Sequence, residues 1–500
     1  MKKSLVLGAA ALATLLMAAP QNSQAGEVKM GGYYMFRMQD ADSTVSKEVG
    51  NADTIQGWSQ RLQLNMDFIH DKTTHAHLVT RVLDSQVVTG ADGSVLNGGG
   101  AGVPFASNAA ATAGTWNIRK AWLETEAWGV GVKTGVMPAS LNDNLLVNND
   151  DTGFGAIKLS KTFGDVTAVL ADVKINEGTF GRGSSNTNGV GSGGTGLSVG
   201  GWGSNDDDTD LYILALFGKV NNVNYGVTGA YLHADKDSAL VNLGVGTPGT
   251  TMTDGWLALT LNTMLGGVDV TGTAIWETGM RGTSAAARNV VTSGSTPLSA
   301  IANRMDSGGG LGALRLKGDL SGLSKGSTWN AYGLYASENF TAITSRNPNW
   351  SKTWDLGGPG AQDLMNTWAY AAGSSPEENM MAIGASVTFV PAPNWTITPM
   401  IDFASVVEDQ TVGNAVAGAG SASNFRTTSA WGGGVEVATK LNPATTLAVT
   451  GVVVDPNNKD NSNEALGGGG HVLGTTSNSG AGTTGSDTMH VIEATVKMTF

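Results

Sequence analysis

The chain has no cysteine, and that absence removes disulfides, thiolate metal sites and covalently attached haem at one stroke. Histidine is scarce, at 6 of 500 residues, and charged side chains make up only 14%. Cations are in deficit, 29 against 42 anions, which argues against nucleic acid as a partner. Proline is sparse at 13 residues, and no apolar run beyond the amino terminus is long enough for a transmembrane helix. A soluble secreted protein would share that last feature, so the discriminator is the pattern within the strands.

What is present starts with a leader. Lys2 and Lys3 precede an apolar stretch over residues 5–19, then Pro20 and the small-residue site Ser23, Gln24 and Ala25. This reads as a secretory signal peptide over 1–25, leaving 26–500 as one mature domain. No cysteine follows the site, so an amino-terminal lipid anchor is excluded. Removing Lys2 and Lys3 from the 29 cations leaves 27 against 42 anions, a mature net charge of about −15.

Period-two alternation runs through the mature chain. At its end Ile492, Ala494, Val496, Met498 and Phe500 fall on one face, with Glu493, Thr495, Lys497 and Thr499 on the other. Leu62, Leu64, Met66 and Phe68 alternate with Arg61, Gln63, Asn65 and Asp67; Met381, Ile383, Ala385, Val387 and Phe389 alternate with small and polar residues. Tight turns are expected near 70–73, 126–129, 162–165, 219–222, 264–267, 318–326, 390–394 and 442–444. Eight hairpins plus a first strand over 28–38 and a last one give about eighteen strands. Longer polar segments rich in Gly, Ser, Asn and Thr separate the hairpins, among them 178–208 and 338–378. Short turns on one rim and long loops on the other predict an all-β, transmembrane, antiparallel up-and-down β-barrel of 16–18 strands, with 18 preferred. It must close, because each unpaired backbone group in lipid costs several kcal/mol.

Opposite the apolar stripe, side chains point into the lumen. Parity assigns Lys29, Arg37, Arg61, Arg81, Arg119, Lys133, Lys158, Lys174, Arg315, Lys317, Lys440 and Lys497 inward, with Asp67, Asp172, Asp269, Glu277, Asp402, Glu436 and Glu493 among them. The wall is mixed and slightly basic, so the excess acid belongs to the loops.

A chain that ends on Phe500 in such a strand resembles outer-membrane barrels, whose terminal aromatic is an assembly signal for the insertion machinery. The stretch over 118–137, IRKAWLETEAWGVGVKTGVM, is similar to the hairpin of general trimeric porins that leads into their third external loop. The resemblance implies a homotrimer in the Gram-negative outer membrane, among its lipid and lipopolysaccharide. It also implies a third loop folded into the barrel, with Arg61, Arg81, Arg119 and Lys133 as a basic ladder facing Asp143, Asp150 and Asp151. A transverse field of that kind orients polar solutes. Solvated wall and loop charges without a defined eyelet are the competing reading. The third loop, 138–152, is shorter than the family's, eighteen strands exceed its sixteen, and the loop over 178–208 is the alternative constriction. Eighteen strands look more like sugar-specific porins, although no run of lumen aromatics forms a sugar slide.

Other chemistry fares poorly. Residues 322–326 match a nucleophile elbow by letter but lie in a barrel turn. His75 and His77 share a strand face at a spacing that metal sites use, yet read as two solvated imidazoles. The Asp206 to Asp210 cluster lacks the glycine-interrupted spacing of a calcium loop. The expectation is therefore a non-enzymatic channel for small hydrophilic solutes and ions, without cofactor. The alternatives are a substrate-specific porin and a sleeve for a multihaem cytochrome.

Overall fold

The computed structural model describes residues 26–42, 55–90, 117–177, 208–234, 251–279, 308–337, 340, 343, 380–407, 427–458 and 489–500. The expected signal segment and the expected loop over 178–208 fall outside them, save for Asp208. The elements are β1 (Glu27–Asp42), β2 (Ile55–Ile69), β3 (His75–Gly90), β4 (Asn117–Ala127), β5 (Val130–Leu141), β6 (Val147–Phe163), β7 (Val166–Glu177), β8 (Asp208–Val220) and β9 (Val223–Ala234). They continue with β10 (Met252–Leu265), β11 (Val268–Glu277), β12 (Gly310–Asp319), β13 (Thr328–Ala336), β14 (Met380–Ala392), β15 (Trp395–Val406), β16 (Thr427–Asn442), β17 (Thr445–Asn458) and β18 (Met489–Thr499).

Each strand pairs antiparallel with the next, and β18 pairs with β1 from Tyr33↔Thr499 to Asp42↔His490. The sheet is thus a closed eighteen-stranded barrel. Phe500 completes the seam, its N–H donating to the Gly32 carbonyl at 3.1 Å while the Gly32 N–H donates back at 3.0 Å.

All eight expected tight turns coincide with short connections between consecutive strands. Gly164, Asn221, Gly266 and Gly267 have positive φ, as two-residue hairpin turns require. In the 70–74 turn, Asp71 accepts from the Thr73 and Thr74 N–H groups at 2.7 and 2.9 Å. The hydrogen bonds from Thr73 hold its carboxyl below the usual carboxylate range.

The outward face is apolar. Leu159, Leu170, Leu214, Leu257, Leu314, Ile383, Ile401 and Ile492 are all exposed on it. A continuous belt of this kind around a monomer has no stable partner in water, whereas the hydrocarbon of a bilayer matches it. Closure leaves no strand edge for the lipid to desolvate.

The interior is split. On β7 to β13 the inward residues Ala171, Val173, Leu211, Ile213, Ala230, Leu232, Trp256, Ala258, Ile275, Leu311 and Leu334 form one buried apolar cluster, with Thr228, Asp254, Thr271, Thr273 and Glu277 buried on the same wall. On β1 to β6 the wall carries Arg37, Arg61, Asp67, His77, Glu124, Lys133 and Lys158, and on β16 to β18 Glu436, Lys440, Glu493 and Lys497 share the inner face with Val452 and Val491 of the buried cluster. This division corrects two sequence assignments. Asp172 pairs with Tyr212 and Lys174 with Asp210, in the parity of Leu170 and Leu214, whereas Ala171 and Val173 occupy the lumen side. Asp172 and Lys174 therefore face outward, where Lys174 forms an ion pair with Asp210.

Candidate pore and its constriction

The connection between β5 and β6 spans only residues 142–146, and it folds into the barrel. Leu145, Leu146 and Val147 are at most 1% exposed, packed into the apolar cluster of the β7 to β13 wall. Polar contacts aim the tip. Asn142 Nδ2 donates to Thr260 Oγ1 of β10 at 3.2 Å, and Arg315 of β12 donates to Asp143 Oδ1 at 2.8 Å. Asn142, Asp143 and Asn144 have φ of 54°, 58° and 69°, three consecutive left-handed residues closed by the Leu145 N–H donating to the Asn142 carbonyl at 3.1 Å. Asn and Asp tolerate that region better than other side chains, which explains their presence at this bend.

Burial inside the barrel holds the Asp143 carboxyl above the usual carboxylate range. Arg315 opposes that shift and Asp269 reinforces it.

Since the loop lies against the apolar wall, the opening is left to the opposite sector. Arg37 of β1 is ion-paired with Glu493 of β18 at 3.4 Å. On β5, Lys133 donates to Glu124 of β4 at 2.5 Å, and Lys158 of β6 stands beside it in register. Lys497 lies over the ring of Tyr33 at 4.7 Å. Tyr332 donates to Asp402 farther round the lumen, over Gly384; a Cβ there would come within 2.5 Å of Tyr332 ring atoms.

The sequence-predicted residues fall into place unequally. By register Arg61, opposite Met35, shares the lumen face with Lys133. Arg81 faces inward but is 2% exposed, its Nε donating to Gln63 Oε1 at 3.3 Å, so it is a buried charge and not an open rung. Arg119 is the extra residue of a β-bulge, between the pairs Val79↔Lys120 and Thr80↔Ile118. Ile118 is exposed on the outer face and Lys120 opposes inward Val79, so the bulge turns both Arg119 and Lys120 to the lumen. Asp143 contacts Arg315 and not the Arg61, Arg81, Arg119 and Lys133 series, because the loop crosses to the apolar wall. Asp150 and Asp151 are not loop residues: β6 begins at Val147, and their side chains lie outside the described residues. Arg315, Glu124 and Asn142 were not singled out for the constriction by sequence reasoning. Only the Asn-Asp-Asn run, a turn signal inside an otherwise alternating stretch, could have drawn attention to that loop.

No family model and no curated protein matches the chain. Solved structures do. A BenF-like porin from Pseudomonas fluorescens Pf-5 is similar at 9% identity with a TM-score of 0.50, over 95% of this chain and 98% of that one. OccK3 (OpdO) of Pseudomonas aeruginosa gives 8% identity and a TM-score of 0.49, over 94% of this chain and 96% of that one. The anion-selective porin from Comamonas acidovorans gives 9% and 0.38, over 95% and 100%. The likeness is one of fold, a closed antiparallel β-barrel.

Proposed function

We propose that this protein is an outer-membrane porin: a water-filled channel for passive diffusion of ions and small hydrophilic solutes. The observation that carries the reading is the pairing of an apolar exterior with a lumen half lined by charge and narrowed by its own inserted loop. Arg61, Arg119 and Lys133 form the basic side of the constriction, with Arg81 adding its field from beneath. Neither a catalytic centre nor a cofactor enters this function. The sleeve alternative loses ground, because Leu145 and Leu146 occupy space that a cytochrome would need. A substrate-specific porin is the second reading, favoured by the apolar half-wall: a solute passing there meets hydrocarbon on one side and cations on the other.

Residues 1–25 serve as a cleaved signal peptide, Phe500 as the assembly signal read by the barrel-assembly machinery, and the mature barrel sits as a homotrimer among outer-membrane lipid and lipopolysaccharide. Planar-bilayer recording tests the function. Stepwise conductance, with a reversal potential set by a salt gradient, is expected; a folded, inserted protein that passes no current refutes it.

A further inference from the structure

Close to the turn rim, one imidazole of β3 links charged groups from three neighbouring strands. His77 Nδ1 lies 2.7 Å from Asp67 Oδ1 of β2, and its Nε2 lies 3.6 Å from Glu124 Oε1 of β4. Glu124 in turn accepts from Lys133 of β5 at 2.5 Å and from the indole of Trp122 at 2.7 Å. The His77 ring stacks on Trp122, centroids 4.5 Å apart and planes 14° from parallel, which fixes its orientation. His75 is its neighbour on β3 at 6.1 Å, and Lys158 of β6 is paired in register with Lys133.

We propose that His77 is an ion-selectivity determinant of the lumen, whose protonation switches the chain Asp67–His77–Glu124–Lys133 between one net negative charge and none. This rests on the porin reading. With His77 neutral, two carboxylates face one ammonium; with it protonated, the four charges cancel. Imidazole is the side chain whose ordinary titration falls between pH 5 and 8. Of the histidines whose side chains the structure describes, His70 is in a turn, His233 and His490 have outward parity, and only His75 and His77 face the lumen. His75 is not held between two carboxylates in this way, so the charge change that matters is placed on His77. The passing ion feels it directly, because the chain lines the half of the lumen that the inserted loop leaves open.

The test is the reversal potential of the full mature chain in planar bilayers under a dilute KCl gradient, from pH 8 to pH 5. In the wild type, acidification should raise the chloride-to-potassium permeability ratio about twofold, the effect of one unit charge within roughly a Debye length. With the Asp143 carboxyl removed by Asp143→Asn, His77→Gln should abolish that step, His77→Lys should hold the ratio at its acidic value throughout, and His70→Gln should leave the step intact. If His77→Gln fails to insert, His77→Lys carries the comparison alone. An unchanged pH step in either His77 variant overturns the inference while the porin reading stands. A wild-type protein that inserts without conducting overturns both.

Discussion

Replacing Leu145 and Leu146 by alanine removes the apolar anchor of the loop between β5 and β6. Both leucines are wholly buried among side chains of the β7 to β13 wall, so each truncation costs about 2–5 kcal/mol of docking energy. The Arg315–Asp143 contact and the Asn142–Thr260 hydrogen bond remain. With the Arg315 side chain 35% exposed, solvent screening leaves those two contacts about 2 kcal/mol together. Against them stands the left-handed turn at Asn142, Asp143 and Asn144, which would cost about 1–2 kcal/mol for each ordinary residue and somewhat less for Asn and Asp. The balance tips, and the loop should leave its seat while the eighteen paired strands persist. Single-channel recording should then show a larger conductance than wild type, with barrel content by circular dichroism and heat-modifiable gel mobility unchanged. An intact barrel of unaltered conductance would refute the reasoning, because the loop would then not set the pore's width.

Three further outcomes follow from the same geometry. Neutralising Arg119 and Lys133 together should shift the reversal potential toward cations; no shift removes them from the constriction. Burial raises the Asp143 carboxyl, so its protonated form is favoured in the docked loop. Docking is therefore most stable in acid, and the charge disappears as pH falls through a window above the ordinary carboxylate range. A second anion-ward selectivity step on acidification, absent in Asp143→Asn, is the readout, best recorded in the His77→Gln background. Gly384→Ala should push Tyr332 off Asp402 and lower thermal stability by about 1–3 kcal/mol, read by heat-modifiable mobility against temperature.

Much of the barrel was legible in the sequence because its two signals are local. Turn residues such as Gly266 and Gly267 mark hairpins wherever they occur, and alternation such as Leu62, Leu64, Met66 and Phe68 sets the outer face without knowledge of any partner. The misreading of Asp172 and Lys174 has a physical cause. Parity alone is ambiguous on β7, because Val166, Ala168 and Leu170 on one face and Val169, Ala171 and Val173 on the other are all apolar. The structure resolves it: Ala171 and Val173 take the inward positions, in the buried cluster that Leu145 and Leu146 join from inside. The direction of Arg119 depends on a bulge that one strand alone does not reveal. The partner of Asp143 lies on β12, far along the chain, and only the path of the loop brings Arg315 to it.

The absence of cysteine makes the most direct test a clean one. Single cysteines at Lys158, Glu436 and Lys497 should react in reconstituted vesicles with a water-soluble, membrane-impermeant thiol reagent. Cysteines at their neighbours Leu159, Val435 and Val496 should react only with a reagent dissolved in the bilayer. Equal reactivity within each neighbouring pair, or the reverse order, would contradict a barrel that presents hydrocarbon outward and water within.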